Sequence, residues 1–151
     1  MKIHLSLAAL AVMLLLGAGC AQSLGSKTKL SLLGTGLTSL PSYVLEETQL
    51  EWLDISNNQI TGSLPAEIRQ LENLKVLDAS DNLMTGVPAE IGQLSQLEEL
   101  DLSNNQLTGL PNELGNLENL LILDLTGNEV SLQDVKGIEA KLPNTEIFYD
   151  K

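Results

Sequence analysis

The sequence is poor in the residues on which most chemistry depends. Of its 151 residues, one is cysteine, one histidine, one tryptophan, one phenylalanine and two are tyrosine. A lone thiol cannot build an internal disulfide framework. With aromatic residues at 3%, any core has to be made of aliphatic side chains rather than stacked rings. Basic residues are scarce as well, since 8 Lys and Arg against 20 Asp and Glu give a formal net charge of −12. That balance argues against nucleic acid as a partner, because phosphate contacts need a Lys/Arg surface that releases counterions. What the chain has in excess is leucine, 34 residues of the 151, in a length suited to one domain.

The first twenty residues read as an address. Lys2 precedes an apolar run from Leu5 to Leu16, which gives way to Gly17, Ala18, Gly19 and Cys20. A run of about a dozen residues is short of the roughly 20 that a membrane-spanning helix needs, so a cleaved leader is the better reading. The segment resembles a bacterial lipoprotein signal, although Gly17 stands where that signal usually has a branched residue and Leu16 lies one place earlier. The resemblance implies diacylglycerol on the Cys20 thiol, cleavage just before it, and an anchor in the bacterial cell envelope. With Ala21 next, it favours the outer membrane where the host has two. An ordinary secretory leader, with Cys20 incidental, is the alternative.

Removing residues 1–19 takes away Lys2 and His4 but no acid, leaving 7 basic against 20 acidic residues, a net of −13. No histidine then remains for Ser-His-Asp or Cys-His catalysis or for an ordinary zinc site. The expectation is a protein without cofactor or metal that is not an enzyme. Paired-carboxylate chemistry is the one catalytic option left, and it requires a pocket that gives two acids separate environments. Residues 20–29 read as the modified cysteine and a short polar tether, and residues 30–151 as the folded domain.

The domain repeats itself. The segments starting at Leu50, Leu74, Leu97 and Leu120 each fit L-x-x-L-x-L-x-x-N-x-L, with Ala79 in one leucine slot and Ile60, Met84 or Val130 in the last. Asn58, Asn82, Asn105 and Asn128 are 24, 23 and 23 residues apart, and an eroded first copy puts Leu30, Leu32 and Leu37 in the same register. Between copies, Pro65, Pro88 and Pro111 end the extended stretch ahead of a short helical one, and Ser63 supplies the extra residue of the longest unit as a bulge. These residues resemble the leucine-rich repeat family over essentially all of residues 27–151. The resemblance implies an α/β solenoid: a short curved arc with a parallel β-sheet on its concave face and turns and short helices on the convex side. No copy buries its leucines alone, so neighbours must stack. Asn58, Asn82, Asn105 and Asn128, each with an amide donor and a carbonyl acceptor, are expected to form a structural ladder where the strands turn. After Val130 a helix is expected over Leu132–Lys141, followed by a capping strand with Ile147 and Tyr149 inward and Phe148 and Asp150 outward.

Stacking turns sequence columns into rows on the sheet, about 4.8 Å apart. One outward column holds Lys29, Trp52, Val76, Glu99 and Ile122; the next holds Ser31, Asp54, Asp78, Asp101 and Asp124 and continues to Phe148. A third holds Leu33, Ser56, Ser80, Ser103, Thr126 and Asp150, and beyond it lie Gly34, Asn57, Asp81, Asn104 and Gly127. Four aspartates in a row either follow the habit of the repeat, with Ser/Thr donors beside them, or attract a cation or a basic protein. Apolar residues at Trp52, Val76, Ile122 and Phe148 have no architectural requirement at outward positions, and such clusters mark interfaces. The expected site is an acidic strip with apolar anchors, comprising Trp52, Val76, Glu99, Ile122, Phe148, Asp54, Asp78, Asp101 and Asp124. It suits a protein or peptide partner of basic and apolar character. The alternative is an envelope scaffold or spacer whose concave face has no dedicated ligand. A face of about 400 Å² is half the roughly 800 Å² per partner of a standard interface, which fits a peptide or a modest affinity.

Overall fold

The computed structural model describes residues 28–150; the leader, Cys20 and most of the tether lie outside the described residues. Six short strands form one parallel sheet: β1 (Lys29–Ser31), β2 (Trp52–Asp54), β4 (Val76–Asp78), β6 (Glu99–Asp101), β7 (Ile122–Asp124) and β8 (Glu146–Phe148), neighbours in that order. The two strands missing from that series, β3 (Thr61–Gly62) and β5 (Leu83–Met84), pair with each other in a second, two-stranded parallel sheet. The chain is thus an α/β leucine-rich repeat solenoid, each copy contributing a strand and a return along the opposite side.

Leucine spacing explains the strands. Residues two apart on a strand share a face, so Leu53 and Ile55, Leu77 and Ala79, Leu100 and Leu102, and Leu123 and Leu125 all point inward, and all eight are fully buried. The return segments supply the other wall. Pro65, Pro88 and Pro111, with φ near the −65° that proline imposes, each precede a single short 3-10 helix, at Ala66–Gln70, Ala89–Gln93 and Asn112–Asn116. Each proline carbonyl accepts the N–H of the residue three places on, and that residue, Ile68, Ile91 or Leu114, is fully buried. The first copy uses one turn of helix, α1 (Ser42–Leu45), in the same place.

The last return is longer. Helix α2 (Leu132–Glu139) starts at Ser131, whose side chain accepts the Gln133 N–H at 3.2 Å, and buries Val135 and Ile138. It ends two residues before the Lys141 expected from sequence. The bonding tightens there, with Lys141 N–H on the Ile138 carbonyl at 2.9 Å, and the tighter turn lets Leu142 tuck into the core ahead of Pro143.

The extra residue Ser63 follows Gly62, which has a φ of 70° and whose carbonyl receives two consecutive N–H groups, from Thr85 at 2.8 Å and Gly86 at 3.1 Å. Two donors on one acceptor absorb the odd residue locally, as in a bulge.

Five of the six strands of the main sheet, all but β8, leave it through a left-handed residue. Gly34, Asn57, Asp81, Asn104 and Gly127 have φ between 52° and 71°, a region that side chains other than Asn, Asp and Gly rarely enter. From sequence this column reads as a fourth outward row; the structure shows that it is the corner at which the strand ends.

Candidate recognition face

Parallel register carries each column intact across the sheet. Lys29, Trp52, Val76, Glu99, Ile122 and Glu146 are successive partners, as are Ser31, Asp54, Asp78, Asp101, Asp124 and Phe148. Glu146 completes the first column at its C-terminal end and was not read from the sequence, because the last copy lacks the asparagine that anchors the alignment.

The aspartate column is built into the fold on one side. In Asp54, Asp78, Asp101 and Asp124, Oδ1 accepts both the backbone N–H and the hydroxyl of the Ser or Thr two residues on, the hydroxyl contacts being 2.6–2.7 Å. These short charge-assisted bonds hold the strand end against the corner that follows. Asp54 goes further, since its Oδ2 also accepts the Ser31 hydroxyl at 3.0 Å and its residue is 7% exposed. This corrects the sequence reading, which offered Asp54 to a partner: the smaller serine of the first copy lies across it and occupies its second oxygen. Asp78, Asp101 and Asp124 stay half-buried, and among the described residues no donor engages their Oδ2.

Charge accumulates at the middle of the row. The pKa of Asp101 is raised, first by burial and then by repulsion from Asp78 and Asp124 on either side, while the Ser103 hydrogen bonds pull it the other way. Among the described residues, no three His, Cys, Asp or Glu side chains converge as a metal site.

The apolar side chains of the first column are less open than the sequence suggests. Trp52, Val76 and Ile122 are half-buried, because neighbours on each side cover part of them, whereas Phe148 at the edge of the sheet is 40% exposed. Glu99 and Glu146 are exposed and stand on either side of Ile122 in the same column. Beside this column Lys75 pairs with Glu51 at 3.1 Å, and one place before Ile122 stands Leu121, 56% exposed where the other copies have Glu51, Lys75 and Glu98. Comparing the copies position by position would have found Leu121.

The asparagines face inward. Asn82 shows the pattern: Oδ1 accepts the Ile60 N–H at 3.0 Å, while Nδ2 lies 3.0 Å from the Ile55 carbonyl of the preceding copy and 3.0–3.2 Å from those of Ser80 and Ala79 in its own. Asn58, Asn105 and Asn128 repeat this geometry on Leu37, Met84 and Leu107. A second, shorter series runs along the flank where Asn73 Nδ2 donates to Thr48 O at 2.9 Å and Asn119 Nδ2 to Ser95 O at 2.8 Å. Gln96 holds the equivalent position between them, and a polar groove of about 320 Å³ opens there, lined by Arg69, Glu72, Asn73, Gln93, Ser95 and Gln96.

The fold and face define a class: a repeat solenoid with a parallel sheet along one side. Residues 24–142 match the family described as leucine-rich repeat region, and the chain belongs to that family. Among solved structures it is similar to a leucine-rich repeat protein of Leptospira interrogans, at 44% identity and a TM-score of 0.75, over 80% of this chain and 30% of that one. It is also similar to the plant peptide hormone receptor RGFR1 in complex with RGF2, at 35% identity and a TM-score of 0.67, over 80% of this chain and 20% of that one. Among curated relatives, Receptor-like protein 18 of Arabidopsis thaliana is 36% identical over 39% of this chain, which spans 7% of that protein's length.

Proposed function

We propose that this chain is a non-enzymatic binding module. Cys20 carries a lipid that anchors it in the bacterial envelope, at the outer membrane where two membranes exist. Residues 1–19 are the leader, residues 20–29 the anchored cysteine and its tether, and residues 30–151 present the concave face. The ligand is a protein or peptide, basic and apolar, lying across the strands. The observation that carries this reading is the composition of the first column, where half-buried Trp52, Val76 and Ile122 share the row with exposed Glu99 and Glu146, beside the second carboxylate oxygens of Asp78, Asp101 and Asp124. A half-buried Trp52–Val76 pair, followed along the column by exposed carboxylates at Glu99 and Glu146, is the arrangement a basic-amphipathic segment fits. Similarity to a receptor solved with RGF2 supports a peptide-sized ligand.

Trp52 is the one tryptophan of the sequence and sits in the proposed site, so its emission reports occupancy. Titration with tryptophan-free basic-amphipathic peptides should shift that emission saturably. An acidic peptide of the same apolar pattern should not shift it, and Ile122→Ala or Glu99→Lys should weaken the effect. A flat response to every peptide would leave the face without a ligand and the chain a scaffold or spacer. Lipidation is tested separately, by the mass of the mature chain and its change in Cys20→Ser.

A further inference from the structure

The two ends of the sheet are matched. Within the solenoid, each strand passes one N–H forward to the next strand: Ile55 to Asp78 O at 2.8 Å, Ala79 to Asp101 O at 2.9 Å, Leu102 to Asp124 O at 2.9 Å and Leu125 to Phe148 O at 2.8 Å. The equivalent group on the last strand is the Tyr149 N–H, and among the described residues it has no partner. One accepting carbonyl recurs too. Glu51, Lys75, Glu98 and Leu121 each receive an N–H from the following strand, and the equivalent Thr145 carbonyl receives none. At the opposite edge, among the described residues β1 pairs with β2 alone, and the Ser31 carbonyl and the Thr28 N–H are the complementary acceptor and donor.

Side chains match in the same register. Leu30 on β1 and Ile147 on β8 are only partly buried, whereas Leu53, Leu77, Leu100 and Leu123 between them are fully buried. At the head of the shared column stands exposed Lys29, and at its foot exposed Glu146. If the sheet continued, these two would be neighbours at about the 4.8 Å strand spacing. Inside the molecule, Lys75 and Glu51 on adjacent copies already make such a pair at 3.1 Å.

From this we infer that a second copy of the chain docks head to tail, its β1 extending the sheet beyond β8. Tyr149 N–H then meets the Ser31 carbonyl of the next copy, Lys29 of that copy pairs with Glu146, and Leu30 and Ile147 close over one another. Pairing β8 with β8 across a two-fold axis is disfavoured, because it brings the carboxylates of Glu146 and Asp150 of both copies together, whereas the head-to-tail contact sets Lys29 against Glu146. The contact is heterologous, so it propagates into short chains of copies instead of stopping at a pair. Its consequence rests on the recognition reading: two copies present about 800 Å² of continuous concave face, the size of a standard partner surface, where one presents half. The association itself does not rest on that reading, and its test involves no ligand.

The test is sedimentation velocity of the full chain in detergent solution across a wide range of concentration, with thermal melts to confirm folding of each variant. The expected result is a concentration-dependent series of dimers and longer species, weakened about fivefold by Lys29→Glu or by Glu146→Lys and restored when both reversals are in one chain. A monomer at every concentration overturns the proposal. So does a dimer that Lys29→Glu leaves intact, which would be the two-fold alternative, and so do oligomers indifferent to both reversals, which would trace to the leader segment.

Discussion

Asp101 shows how a position repeated by habit acquires its own chemistry from its neighbours. Its carboxyl holds a proton to higher pH in the folded chain than in the unfolded one, because burial and the flanking Asp78 and Asp124 outweigh the Ser103 hydrogen bonds. The native state therefore binds more protons in the window above 3.8, and stability falls as pH rises through it. Asp101→Asn keeps the Oδ1 acceptor and removes the charge. It should raise stability at pH 7 by about 0.5 kcal/mol in urea unfolding, and the gain should vanish once pH falls below the ordinary carboxylate value. The asparagines predict the opposite sign. Asn105→Ala strips the Met84 N–H of its buried partner and takes one of two amide donors from the Ala79 carbonyl, which keeps Asn82, at a cost of about 2 kcal/mol by the same measurement. Residue identity was legible where one copy predicts the next, as with the asparagines and the columns. It was not legible at Asp54, whose fate is decided by the serine opposite it, nor in the corner column, where Gly, Asn and Asp share a backbone angle and little else.

At the scale of elements, leucine spacing exposes the main sheet directly, because a period of two with full burial on one side leaves one register open. The short helical stretches after Pro65, Pro88 and Pro111 were legible in place but not in their 3-10 form, and the pairing of β3 with β5 was not legible. Two-residue strands and single helical turns carry too few residues for any periodicity, and their hydrogen bonds are made only once neighbouring copies have stacked. The flank series of Asn73 and Asn119 escaped for the same reason, being visible only when side chains are paired with carbonyls 24–25 residues away. Gln96 interrupts it: its side chain is one methylene longer than asparagine, and among the described residues no bond joins its amide to the Glu72 carbonyl. Gln96→Asn should complete the series and add about 0.5–1 kcal/mol to stability, with the Glu72–Gln96 groove closing in a crystal structure of the variant. An unchanged melting temperature would show that the gap is already filled by solvent at no cost.

At the scale of the molecule, stacking makes stability a sum over neighbours, and among the described residues the copies at the two edges of the sheet have one neighbour each. Amide exchange in dilute solution should be slowest around Leu77–Ala79 and Leu100–Leu102. It should be faster by about tenfold or more around Leu30 and around Ile147–Tyr149, where the core side chains are only partly covered. Uniform protection would mean that the sheet opens as one unit.

The asparagine rungs also impose an order in time. Each fastens a carbonyl and an N–H belonging to the copy before it: Asn58 holds Leu32 and Leu37, and Asn82 holds Ile55 and Ile60. A copy is therefore finished only by its successor. A chain emerging from its N-terminus would lock one turn behind the point of synthesis or export, so the growing end always carries a single unlatched coil and everything behind it is already wound.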